Sequence, residues 1–363
     1  MRGSSQLGTA RTAARAVAAA LSATLLVASC GGNDGKTGVS LILKTQSNPY
    51  FIAMKQAAQA EADKTGVHLS VATGLADGDT QTQINAIDTA IARGDQGIMI
   101  TSNGSAVNAA LRLAKDYGLY VIALDTPLDP VDTADVTYAT NNFEAGRLIG
   151  EYAAERLAGS KAVIAMLDLY DDQVVSVDID RDHGFLTGMG IDPGSKTLNA
   201  KEAKSGKYTG GQGGDYQIAC HQATQGAVDG GRTAMEQCLS RNPDINVVYT
   251  INEPAGEGAY AALKAGNRED KAFVVTIDGS CQGMSDIEKG IFAADATQYP
   301  GKMAQLGVDA IAQIAEGGQP PSLPPGEDFL DTGTKLVTAK PLPGLTSQTV
   351  DEGKAACWGA AVS

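Results

Sequence analysis

Apolar residues along the chain fall into two alternating kinds of stretch. Short continuous runs such as Val39–Leu43, Val67–Ala72, Gly97–Ile100 and Tyr120–Leu124 have the length of strands. Between them, apolar positions recur at helical spacing, as at Ile84, Ile87 and Ile91 within Thr80–Arg93. Pro49–Lys64 and Ala106–Tyr117 read as helices in the same way. The second half repeats the scheme. Strands are predicted at Ala162–Leu167, Val247–Thr250, Phe273–Ile277 and Phe292–Thr297. Helices are predicted at Phe143–Leu157, Arg181–Met189, Thr233–Leu239, Pro254–Ala265, Ser285–Lys289 and Gly301–Glu316. Repeated β-α units imply parallel sheets with right-handed crossovers, an α/β fold. A continuous Val/Ile/Leu run suits a strand covered by helices on both faces.

Two of these strands end in a carboxylate. Leu119–Leu124 runs into Asp125, and Phe273–Ile277 runs into Asp278. Open α/β sheets bind ligands at the carboxyl ends of their strands. Two such ends, far apart in sequence, predict two similar halves that each offer an acid to one cleft. An Asp in this place also suits an N-cap for the next helix, and Asn48-Pro49 is a helix-start signal in its own right. Tyr50 and Phe51 at that helix start read equally as core, and Arg181 as a partner for Asp178 or Asp182.

Lys201–Gly231 breaks the rhythm with Gly and polar residues, including Gly210-Gly211-Gln212-Gly213-Gly214, and is expected to be a flexible insertion. No apolar strand feeds it, so a phosphate-loop reading fails. Gln319–Gly326 reads as a Pro-rich crossover and Pro341–Ser363 as a tail carrying the chain's one Trp, Trp358. Asp178–Asp182 begins like a calcium loop, but His183 and Met189 stand where Gly and Glu are needed.

Residues 1–29 change the picture of where the protein works. Arg2, Arg11 and Arg15 precede an Ala/Leu/Val segment and then Val27-Ala28-Ser29-Cys30, the order of a secretory signal peptide. It is similar to a lipoprotein leader, which implies acylation of Cys30, a tether over 30–37 and a lipid anchor on the extracytoplasmic face of the cytoplasmic membrane. Cys220, Cys238, Cys281 and Cys357 remain, an even number in an exported chain, which favours disulfides over a metal site. Three pairings are open. Cys220 with Cys238 would close a local loop, and Cys281 with Cys357 would pin the tail beside Asp278. The cysteine spacings do not match a zinc site, and the chain has only 3 His. A formal charge of −14 argues against a nucleic-acid partner.

Six motifs in order, Gln46–Phe51, Ala123–Thr126, Arg181–Phe185, Ile251–Glu253, Ile277–Gly279 and Thr297–Pro300, resemble the type I sugar-binding proteins of bacterial ABC importers. Asp125–Pro130, Tyr249–Pro254 and Asp278–Cys281 look most like the fructose-type branch. The resemblance covers about Val39–Lys340. It implies two doubly wound parallel-sheet lobes joined by a three-segment hinge, with 38–140 and 299–327 in one lobe and 141–298 and 328–340 in the other. It further implies capture of a monosaccharide, fructose first, by a monomer that hands it to a permease without cofactor, metal or chemistry. Asp125 and Asp278 would accept from sugar hydroxyls and Arg181 would donate a fork. Asn48, Asn252 and Gln298 would do both. Tyr50 and Phe51 would wall the ring, with Thr140 and Lys44 as weaker contributors. Competing readings are a sensory receptor for the same ligand, a receptor for ribose or a sugar alcohol, and a glycosidase using paired carboxylates. A transcription regulator of this fold would need a basic helix-turn-helix ahead of the first strand, and none is there.

Overall fold

A computed structural model describes residues 37–171 and 173–360. The leader and Cys30 lie outside the described residues. The elements run in order β1 (Gly38–Leu43), α1 (Pro49–Thr65), β2 (His68–Thr73), α2 (Thr80–Arg93), β3 (Gly97–Ile100), α3 (Asn108–Asp116), β4 (Tyr120–Leu124) and β5 (Val136–Ala139). There follow α4 (Asn142–Leu157), β6 (Ala162–Asp168), α5 (Ser176–Met189), β7 (Ser205–Tyr208), β8 (Gly214–Ala223), α6 (Val228–Arg241), β9 (Val247–Thr250) and α7 (Glu253–Ala265). The chain closes with β10 (Phe273–Asp278), α8 (Cys281–Glu288), β11 (Phe292–Thr297), α9 (Pro300–Ala315), β12 (Leu330–Asp331), β13 (Leu336–Val337) and α10 (Val350–Ala356).

The strands form two sheets, one per lobe. The first has the order β12-β5-β4-β3-β1-β2 and is parallel throughout. The second has the order β13-β11-β10-β9-β6-β8-β7, parallel inside with an antiparallel strand at each edge. Alternate side chains of one strand feed different cores, as the two-residue period of a strand requires. On β4, Ile122 and Leu124 pack with Met54 and Val308, while Val121 and Ala123 pack with Ile87 and Leu111. On β6, Ile164 and Met166 join Phe185 and Tyr249, while Val163 and Leu167 join Met235 and Leu263.

The helices start and stop where local chemistry dictates. Asn48 caps α1 by accepting from Tyr50 N, Pro49 takes the first turn, and Gly66 ends the helix at φ 78°. Two helix pairs approach closely because glycines leave room. A Cβ on Gly146 of α4 would sit 2.2 Å from the Arg181 carbonyl oxygen of α5, and one on Gly184 would sit 2.2 Å from the Phe143 carbonyl oxygen. Gly231 and Gly258 meet the facing backbone in the same way between α6 and α7.

Three expectations are corrected. Lys201–Gly231 is not a loose insertion: it builds the β7–β8 hairpin, and β8 pairs with β6 along its length. The glycine run makes the hairpin turn, with Gly211 at φ 54° and Gly213 at φ 68°. The third crossing between lobes comes later than residue 327, because Leu330–Asp331 pairs with β5 in the first sheet before Leu336–Val337 joins the second. Pro341–Ser363 is not a plain tail. Thr349 and Glu352 form a reciprocal cap on α10, and the Cys281–Cys357 disulfide ties its end to α8. The other disulfide joins Cys220 on β8 to Cys238 on α6. Among the described residues no helix is long and apolar enough to cross a membrane.

Candidate functional site

The carboxyl ends of β1 and β4 in one lobe face those of β6, β9 and β10 in the other. The polar-lined cavity between them measures about 40 Å³. One water needs roughly 10–15 Å³ on this scale, so the space suits a small polar molecule and not an oligosaccharide.

Each lobe contributes an ion pair. From the first, Lys44 Nζ lies 3.7 Å from Asp125 Oδ2 and donates to Thr126 Oγ1 at 2.9 Å. Thr126 in turn donates to Asp125 Oδ2 at 2.9 Å. Asp125 holds a left-handed backbone at φ 66°, a conformation Asp tolerates better than most residues and one that turns its side chain sharply out of the strand. From the second lobe, Arg181 Nη1 lies 3.9 Å from Asp278 Oδ1. Both pairs are attractive but too long for a direct hydrogen bond, so donor and acceptor capacity is left at the cavity.

Arg181 is fixed from behind. Its Nε donates to Asn142 Oδ1 at 2.9 Å and its Nη1 to the Ile251 carbonyl at 2.7 Å. Asp278 accepts from Gln298 Nε2 at 2.9 Å and from Glu253 N at 3.3 Å. Burial and the nearby Glu253 push the Asp278 carboxyl well above the usual range, and Arg181 opposes that shift. Beneath it, Glu253 accepts from Gly279 N and Ser280 N, and Asp295 accepts from Asp278 N, so two buried acids shape the turn after β10.

Tyr50 and Phe51 pack edge-to-face, 5.4 Å apart, and both line the cavity. The Tyr50 hydroxyl reaches Gln298 Oε1 and Met303 Sδ, each at 3.5 Å. Burial, then the carboxylates of Asp125 and Asp278, hold its proton on far above the usual tyrosine range.

The structure gathers Lys44, Asn48, Tyr50, Phe51, Asp125, Arg181, Asn252, Asp278 and Gln298 around one cavity. Thr140 is the exception. It follows β5, which lies outside β4 in the sheet, and its hydroxyl is buried without a partner, away from the lining. Asn252 is partly committed: it caps α7 through Ala255 N and donates to the Gly226 carbonyl, each at 3.0 Å.

Sequence reasoning missed Asp77, Trp358 and the apolar walls Leu169, Val177 and Ile251. Asp77 follows β2 and lines the cavity. Burial raises its carboxyl, Lys44 lowers it and Asp125 raises it again. An acid just beyond a strand was the available signal. Trp358 arrives from the far end of the chain. Its indole packs edge-on to Tyr50 at 5.4 Å, and its Nε1 is within 3.1 Å of the Asp278 and Gln298 carbonyls.

Comparison with known proteins agrees with this architecture. The ribose import binding protein RbsB of Salmonella typhimurium is 25% identical over 303 residues, covering 83% of this chain and 93% of that protein. A periplasmic solute-binding protein from Actinobacillus succinogenes, solved with D-allose, superposes with a TM-score of 0.69 at 23% identity, covering 84% of this chain and 98% of that one. One from Bacillus halodurans, solved with myo-inositol, gives 0.70 at 18% identity, covering 90% and 99%. All three are solute-binding proteins rather than enzymes. The family model described as the periplasmic binding protein domain matches residues 39–319, and the chain belongs to that family.

Proposed function

We propose that the protein captures one monosaccharide between its lobes and delivers it to an ABC importer, tethered outside the cytoplasmic membrane by an acylated Cys30. The observation that carries this reading is the pair of unfilled ion pairs, Lys44–Asp125 and Arg181–Asp278, facing one small cavity. A sugar hydroxyl both donates and accepts, so it fits between a carboxylate and a cation better than a purely anionic or cationic ligand does. Tyr50 and Phe51 supply an aromatic wall for the C–H face of a ring.

Three chain crossings, after β5, after β11 and after β12, form the hinge, and the lobes close around the ligand as periplasmic binding proteins do. Fructose is the first cargo to test, from the motifs at Asp125–Pro130 and Asp278–Cys281. Ribose and allose follow, since relatives are named for them. The protein works as a monomer, and a signalling partner in place of a permease is the second reading.

A thermal-shift screen of the purified protein against monosaccharides and cyclic polyols tests the proposal. A ligand that binds only the folded state raises its midpoint as concentration passes the dissociation constant. A selective rise with one sugar is expected. A well-folded sample that responds to none of them would remove the sugar assignment.

A further inference from the structure

A second polar centre lies in the second lobe, apart from the ion pairs of the cleft. It is made by Asp168 at the end of β6, Asp182 in the middle of α5, His221 on β8 and Glu202 just before β7. Asp182 is fully buried, and neither of its carboxylate oxygens has a hydrogen-bond partner. Asp168 Oδ1 and Glu202 Oε2 are buried and unpartnered as well. A buried carboxylate without donors is costly, and native structures seldom keep one without a counter-charge.

His221 faces these acids with both of its ring nitrogens. Its Nδ1 lies 2.7 Å from Asp168 Oδ2 and 4.0 Å from Asp182 Oδ2. One ligand atom from each of Asp168, Asp182 and His221 falls within 4.8 Å of the others. Tetrahedral ligands about 2.0–2.2 Å from one zinc ion stand roughly 3.3–3.6 Å apart, so these side chains need shifts of about 1 Å, the hydrogen-bonded His221 and Asp168 atoms parting, to receive it. The opposite ring nitrogen, Nε2, is 3.1 Å from Glu202 Oε1. Histidines that ligate metals commonly donate their other ring N–H to a carboxylate, which fixes the tautomer and orients the ring. A cavity of about 350 Å³ reaches Asp168 and His221 and gives access from solvent.

We propose that Asp168, Asp182 and His221 bind one divalent transition cation, Zn²⁺ first, with Glu202 positioning the imidazole. A mixed imidazole and carboxylate set favours zinc-like cations over calcium, which takes six to eight oxygens. The ligands come from a strand end, a helix interior and a hairpin strand. The cation therefore ties the β7–β8 hairpin to the core of its lobe. This reading is independent of the sugar assignment. The rival reading is a protonated His221 bridging Asp168 and Glu202 with no metal.

The test uses the full chain, free of affinity tag. The protein is stripped with chelator, dialysed against Zn²⁺, Mn²⁺ or Ca²⁺ in separate arms, and its bound metal is measured by atomic emission. One zinc per chain is expected. Asp182→Asn and His221→Gln should each weaken retention at least about tenfold, and Glu202→Gln by about 10–100-fold. Circular dichroism checks folding, and Asp182→Asn should fold because Asn matches Asp in shape and brings no charge to bury. Zinc should raise the melting midpoint of the wild type and not of Asp182→Asn. No stoichiometric zinc on the wild type, equal retention by Asp182→Asn, or retention of calcium alone would each overturn the proposal.

Discussion

Adding one methyl group at Gly146 tests whether the packing of α4 on α5 sets the position of Arg181. The new Cβ of Gly146→Ala would lie 2.2 Å from the Arg181 carbonyl oxygen and 2.9 Å from Phe185 N. Real Cβ contacts essentially never fall under 3.0 Å, so the helices must part by at least about 0.8 Å. Arg181 reaches the Ile251 carbonyl at 2.7 Å, and a shift of that size stretches the bond to about 3.5 Å, the edge of a hydrogen bond. The bond to Asn142 loosens too, because Asn142 rides on α4. A sugar hydrogen bond lost at the displaced guanidinium costs about 1.5–3 kcal/mol, a fall in sugar affinity of roughly 10–150-fold. The overpacking itself costs about 1–3 kcal/mol of stability, a drop of several degrees in melting midpoint. Isothermal titration with the sugar selected in the thermal-shift screen reads the first effect, and a melt reads the second. Gly301→Ala is the control, since its Cβ would meet only Ala57 Cβ at 3.4 Å. Unchanged affinity and unchanged melting would refute the packing argument. A lower midpoint with full affinity would keep the packing and remove Arg181 from the ligand's contacts.

Three further outcomes follow from the site. Asp278→Ala leaves the Gln298 amide and Glu253 N without their acceptor and should cost about 1.5–3 kcal/mol of sugar affinity; wild-type titration curves for that variant would disprove its role. Burial holds the carboxyls of Asp295 and Glu257 up to about 7, so the fold keeps protons that the unfolded chain releases near pH 4. The native state then binds more protons across that window, and stability falls as pH rises from about 4 to about 7. Midpoints at pH 5 and 7.5 should differ less in Glu257→Gln, and an equal difference would count against the assignment. Trp358 is the only tryptophan in the chain and touches Tyr50 and the backbone of Asp278 and Gln298. Its emission should change on sugar binding, and Cys357→Ser should weaken that response by freeing the segment; a spectrum blind to saturating sugar would sink this placement.

Much of the architecture was legible because buried parallel strands write a simple pattern. β4 and β10 are continuous apolar runs, and the acid that ends each one stands out against them. That contrast located Asp125 and Asp278 from residues alone. Arg181 and Gln298 carry no such contrast, since a helix-borne Arg and a loop Gln look like surface, and only the resemblance to a family brought them in. The β7–β8 hairpin was misread because glycine density masked its alternation. Tyr216, Ile218 and Cys220 are buried at every second position, a strand signal that was present in the sequence. Thr140 lies off the cavity because β5 stands one strand outside β4, a lateral order that local sequence does not encode. Trp358 and the Asp168–Asp182–His221 group depend on contacts between distant segments, which no local pattern encodes.

The cavity is lined by residues from Lys44 to Gln298, and Trp358, near the other end of the chain, backs Tyr50. The first sheet waits for Leu330–Asp331, and the indole is held in place by a disulfide whose second sulfur belongs to Cys357. A chain clipped near its end, or kept reduced, therefore lacks the fixed indole behind Tyr50. The redox state of one bond, Cys281–Cys357, is thereby linked to how firmly the aromatic wall behind Tyr50 is held.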